Sequence, residues 1–140
     1  MPKITLLLLT AASCAMLGAC GGETTEGKSP TEKISSGDVL VFESRQAIQC
    51  GSRGLTTQQS AQKLVNGGID VLESNCGVVT GVVQAAVCGI RTHDIIIHRI
   101  REVNLADAER LGFDSVVTLR DPVQGIDYAK VDCDTGALLP

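Results

Sequence analysis

The first twenty residues, MPKITLLLLTAASCAMLGAC, carry one charged side chain, Lys3, ahead of an apolar run over residues 4–17. That run is shorter than the ~20 residues a helix needs to cross a bilayer. With its short basic start it has instead the proportions of a secretory signal. Nothing in it can contribute to a folded core, so the fold must be made from residues beyond Cys20. The chain then divides into residues 1–19 as a removable address, residues 20–37 as a tether, and residues 38–140 as a single domain.

The address ends in Leu17-Gly18-Ala19-Cys20, which resembles the lipobox of bacterial lipoproteins. The resemblance implies a diacylglyceryl group on Cys20, cleavage between Ala19 and Cys20, and acylation of the new amino terminus with a fatty acid such as palmitate. Cys14 leaves with the address. Gly21 and Gly22 stand where an Asp would favour inner-membrane retention, so the resemblance points to the outer membrane, facing the periplasm. One acyl chain holds only marginally, at about 0.8 kcal/mol per buried CH2, whereas two or three on one cysteine anchor durably. Lipid on Cys20 is the expected membrane attachment.

Residues 21–37, GGETTEGKSPTEKISSG, are too poor in apolar side chains to bury a core. As a random coil they reach on the order of 20–25 Å, which keeps the domain near the membrane. Beyond residue 20 the balance is mildly acidic, and there is no basic stripe of the kind nucleic acid requires. Arg91, Arg99 and Arg101 are interleaved with Asp94 and Glu102, the pattern of a solvated strand end. With two Phe, one Tyr and no Trp, the sequence is poor in the rings that stack on bases or sugars, and those ligand classes lose weight.

Within the domain, residues 39–42 have the length of a strand. A helix over 56–66 starts at Thr56 with Gln59 in capping-box spacing and stops at Gly67-Gly68. A strand over 69–73 is expected next, then strands over 82–88 and 95–100 joined by a polar turn. Asn104 opens a second helix with Leu105, Ala108 and Leu111 on one face, and Gly112 ends it. Strands over 115–119 and 128–132 complete the set, with a turn at Asp134-Thr135-Gly136. Ala61-Gln62-Lys63-Leu64 before Gly68-Ile69-Asp70 resembles Ala108-Glu109-Arg110-Leu111 before Gly112-Phe113-Asp114, a degenerate repeat of a β-α-β unit. The expected fold is α+β, a small disulfide-stabilised split β-α-β-like sheet with two helices on one face and an added hairpin strand.

Four cysteines remain in the domain: Cys50, Cys76, Cys88 and Cys133. An even number in an exported chain reads as two disulfides, with three possible pairings. If residues 82–88 form a hairpin strand, the expected pairs are Cys76–Cys88 and Cys50–Cys133, each contributing about 3–4.5 kcal/mol. No CxxC pair exists, and His93 and His98 differ in strand parity, so no metal site and no cofactor are expected. Asp132-Cys133-Asp134-Thr135-Gly136 begins like a calcium loop but lacks the later ligands, and reads as a turn. No activated-nucleophile motif or phosphate cradle is present, so no catalytic residues are assigned.

Residues 74–90 contain no charge, and Val78, Val79, Val82 and Val83 there form a candidate partner patch. Ser74-Asn75-Cys76 and Gln84-Ala85-Ala86-Val87-Cys88 are similar in order to motifs of the outer-membrane stress-sensor lipoproteins of the Rcs pathway. That similarity covers about twenty residues, with one extra residue in each motif, and no function is carried over from it. The expected role is a non-enzymatic, lipid-anchored envelope lipoprotein acting in protein interaction, assembly or sensing, with an envelope protein as partner. The alternative is a small periplasmic enzyme or ligand carrier, which requires a pocket where polar side chains converge.

Overall fold

A computed structural model describes residues 37–139, so Cys14, Cys20 and the tether up to residue 36 lie outside the described residues. Helix α1 (Thr57–Asn66) opens with the expected capping box: the Thr56 hydroxyl accepts from the Gln59 N–H at 3.1 Å, and Gln59 Oε1 accepts from the Thr56 N–H at 3.0 Å. At its end Gly68 takes φ +80°, the Gly68 N–H donates to the Val65 carbonyl, and the Ile69 N–H donates to that of Leu64. This is a Schellman motif, which needs a left-handed residue, hence glycine. Helix α2 (Leu105–Arg110) ends identically, with Gly112 at φ +89° bonding Glu109 and the Phe113 N–H bonding Ala108.

The repeat seen in the sequence is therefore a repeated helix exit. Each exit drops one large apolar side chain, Ile69 or Phe113, into the same buried cluster as Val41, Leu64, Ile100 and Ala108. This also corrects the strand expected over 69–73. Ile69 is consumed as a core plug, the first bond to a neighbouring strand is from the Leu72 N–H to the Arg99 carbonyl, and the strand itself runs from Glu73.

Strands β1 (Asp38–Ser44), β2 (Glu73–Thr80), β3 (Asp94–Arg101), β4 (Asp114–Ser115) and β5 (Asp127–Val131) form one sheet in the order β4-β1-β3-β2-β5. All neighbours are antiparallel, so β1 and β2 run parallel with β3 between them, and β3 and β4 run parallel with β1 between them. Each pair is joined through a helix on the same face. The result is a double split β-α-β arrangement of ferredoxin-like topology, with β5 added beyond β2. The α+β expectation holds; the extra strand lies at the C-terminal end rather than in a central hairpin.

The opposite sheet face is closed by the chain returning from the β4 edge to the β5 edge. Ser115 caps a short helix, α3 (Val116–Leu119), where a strand over 115–119 was expected. Val116 and Leu119 pack on Leu40, Phe42, Ile95, Ile97, Val79 and Tyr128. Residues 82–88 also differ from expectation: they are an exposed loop, not a strand. Gly81 ends β2 at φ +78°, and a Cβ there would lie 2.1 Å from the Gly125 carbonyl oxygen, so only glycine fits this turn.

The disulfides are Cys50–Cys88 and Cys76–Cys133, which corrects the expected Cys76–Cys88 and Cys50–Cys133. Cys76 sits inside β2 opposite Val131, so β5 delivers Cys133 to it. Residues 82–92 fold back over residues 45–55 instead of pairing beside β2, and Cys88 meets Cys50. The C-terminal turn is as expected. Asp132 accepts from the Thr135 N–H, the Thr135 hydroxyl and the Asp134 N–H, and these bonds, the Thr135 N–H foremost, hold its carboxyl below the usual range.

Candidate functional site: the disulfide-locked loop end and a buried polar clasp

The register gives the domain two distinct ends. Asp38 pairs with Arg101 at one, and Ser44 pairs with Ile95 at the other. Gly37, whose carbonyl accepts from the Glu102 N–H, marks the first end. Residues 45–55 and 81–93 both emerge from the second. These two loops are zipped together. Gln49 donates to Ile90, Gly89 to Gln49 and Thr92 to Ala47 through backbone bonds, Ile48 bridges Arg91, and the Cys50–Cys88 disulfide closes the seam. Residues 45–55 also bond across their own ends, where the Leu55 N–H donates to the Arg45 carbonyl at 2.7 Å and Arg45 Nε donates to the Leu55 carbonyl at 3.1 Å. Gln46 and Cys50 hold φ near +60°, a backbone conformation that side-chain-bearing residues adopt only when surrounding structure enforces it.

Between residues 45–53 and the 133–136 turn lies a concavity of about 330 Å³, with Arg45, Gln49, Arg53, Thr92 and Asp94 among its lining. Its size matches the smaller ligand pockets. The loop zipped to residues 45–55 carries Val83, 94% exposed, together with exposed Val87 and Ile90. Of the four valines in the expected patch, Val83 alone stands free in solvent. Val78 and Val79 are strand neighbours facing opposite sides of the sheet, Val79 within the second core cluster, and Val82 is half-buried.

A second polar assembly crosses the interface between sheet and α1. Lys63 Nζ donates to Glu43 Oε2 at 2.6 Å, and the Ser60 hydroxyl donates to Glu43 Oε1 at 2.5 Å. Ser60 Oγ lies 2.8 Å from His98 Nε2, and Ser74 Oγ lies 2.8 Å from His98 Nδ1. A hydroxyl has one proton, and Ser60 gives its own to Glu43, so Nε2–H of His98 must donate to Ser60. Nδ1 is then the acceptor for the Ser74 hydroxyl. Every bond in the chain thus points from Ser74 toward the Glu43 carboxylate. Ser60 and His98 are fully buried while Ser74 is exposed, and the His98 ring meets the Phe113 ring edge-on at 5.8 Å. Burial lowers the His98 pKa from 6.5 to about 4, against the opposing pull of the Glu43 carboxylate and the Glu73 backbone, so the ring is neutral at physiological pH. The clasp satisfies each polar atom it buries and ties α1 to three strands.

None of these clasp residues, nor Arg45 and Arg53, stands out as a functional residue in the sequence. The one local signal is that residues 45–55 and 81–93 contain arginines but no Asp or Glu. No family model, curated protein or solved structure matches the chain. The fold and site define an α+β domain with two disulfides, one of which cross-links the two loops at one end of the sheet. Among the described residues no helix is long and apolar enough to cross a membrane.

Proposed function

We propose that this chain is a bacterial lipoprotein anchored through lipid on Cys20 to the outer membrane, facing the periplasm, where its domain docks on an envelope protein without catalysing a reaction. The observation that carries this reading is the polarity of the domain. The segment leading back to Cys20 joins at Gly37, and the locked loops lie at the opposite end of the sheet. Lipid attachment at the first end leaves the second end, with Val83, Val87 and Ile90 exposed on a rigid frame, turned toward other envelope components. Two disulfides accord with an oxidising compartment.

Two measurements test it. Cells fed a palmitate analogue should label the wild-type chain and not a Cys20→Ala variant. Pull-down after crosslinking of intact cells should enrich one defined envelope protein, and recovery of none would count against docking. The concavity beside Arg45 and Arg53 favours a second reading, a carrier for a small periplasmic ligand. Native mass spectrometry of protein purified from the envelope should then show a bound small molecule, and a bare mass would dismiss the carrier.

A further inference from the structure

The two disulfides differ in exposure. In Cys50–Cys88 both residues are exposed, and each belongs to a loop whose charged side chains, Arg45, Arg53 and Arg91, are all cationic. Cys50 lies between Arg45 and Arg53 in chain order on one wall of the concavity, and Cys133 and Asp134 lie on the other, with Asp94 also in the lining. In Cys76–Cys133, Cys76 is only 2% exposed, and Cys133 stands between Asp132 and Asp134. Disulfide exchange needs access for an attacking thiolate and a leaving sulfur that tolerates negative charge. Nearby guanidinium groups lower a thiol's pKa, while apolar burial or neighbouring carboxylates raise it. Attack on Cys133 would have to expel a thiolate from buried Cys76. Attack on Cys88 expels Cys50, itself exposed, into a loop whose charged side chains are Arg45 and Arg53.

We propose that Cys50–Cys88 is a thiol–disulfide exchange site, a substrate for dithiol reductants or dithiol oxidoreductases of the envelope, and that Cys76–Cys133 is a permanent cross-link. One thiolate of the dithiol attacks Cys88 Sγ, the Cys50–Cys88 bond breaks, and Cys50 leaves as a thiolate that takes up a proton. The second thiolate of the dithiol then attacks the sulfur of its own partner in the mixed disulfide, releasing Cys88. The dithiol loses two electrons and two protons and becomes a disulfide, while Cys50 and Cys88 become thiols. Opening the seam leaves residues 45–55 and 81–93 joined by hydrogen bonds alone, among them the backbone ones and that from Gln84 to Gln49, so the exposed valines are held less rigidly. The exchange itself does not depend on the docking reading.

The test is reduction of the whole mature chain by dithiothreitol in native buffer, quenched over time with iodoacetamide and mapped by peptide mass spectrometry. Cys50 and Cys88 should become alkylated at least about ten-fold faster than Cys76 and Cys133. Charge reversal by Arg53→Glu with Arg91→Glu should slow the first rate at least about three-fold and leave the second unchanged. The second rate doubles as a check on folding, because an unfolded variant would expose both pairs. Equal rates, earlier opening of Cys76–Cys133, or a Cys50–Cys88 rate indifferent to the arginine charges would overturn the assignment.

Discussion

At the scale of single residues, the clasp around His98 makes the sharpest commitments. An unfolded histidine binds its proton near pH 6.5, whereas the folded ring does so only near 4. Between those values the unfolded state holds more protons, so the contribution is fully present above pH 6.5 and is lost as pH falls toward 4. The loss amounts to at most about 3 kcal/mol. Urea unfolding of wild type and His98→Gln at pH 7 and pH 4.5 should show a smaller acid loss in the variant; equal losses would mean the ring is not the titrating group. Ser60→Ala leaves both His98 Nε2–H and Glu43 short of a partner in a buried site, and should cost about 2–3 kcal/mol. Ser74→Ala, where water can replace the hydroxyl, should cost about 1 kcal/mol or less. None of this was legible in the sequence. Glu43, Ser60, Ser74 and His98 lie on four different elements, and only the three-dimensional stacking of α1 on β1, β3 and β2 brings them into one line.

At the scale of elements, legibility tracks locality. The capping box at Thr56 and Gln59 and the glycine stops at Gly68 and Gly112 depend on neighbours within one turn, so α1 and both helix exits could be read from the chain, whereas Asn104 makes no side-chain cap at the start of the short α2. The disulfide pairing could not, because it depends on which strand runs beside Cys76 and where residues 81–93 come to rest. The alternating Ile69-Asp70-Val71-Leu72 imitates a strand, but the Schellman turn spends Ile69 on the core. Replacing Gly68 or Gly112 with Ala should cost about 1–2 kcal/mol each, through the left-handed backbone alone. Gly81→Ala adds a collision with the Gly125 carbonyl and should lower the melting temperature more than either. The two disulfides span 38 and 57 residues, so on chain-entropy grounds each contributes about 4 kcal/mol. Breaking them should nevertheless differ in kind. Cys50→Ser with Cys88→Ser should raise hydrogen exchange in residues 45–55 and 81–93 alone, whereas Cys76→Ser with Cys133→Ser should loosen β2 and β5 in the core sheet.

At the scale of the whole molecule, the proposed function requires a tethered end and a working end. That polarity comes from β1 running away from Gly37 toward the locked loops, and from the lipid expected on Cys20 at the far side of the tether. Val103 stands beside Gly37 and is 85% exposed, while Val83 at the other end is 94% exposed, so the two form a matched pair differing mainly in position. The direct measurement is site-specific photocrosslinking in intact cells, with a photoreactive residue placed at Val83 in one strain and at Val103 in another. Docking through the locked loops predicts a discrete adduct with one envelope protein from Val83 and none with that protein from Val103. An adduct from Val103 alone, or none from either position, would contradict it.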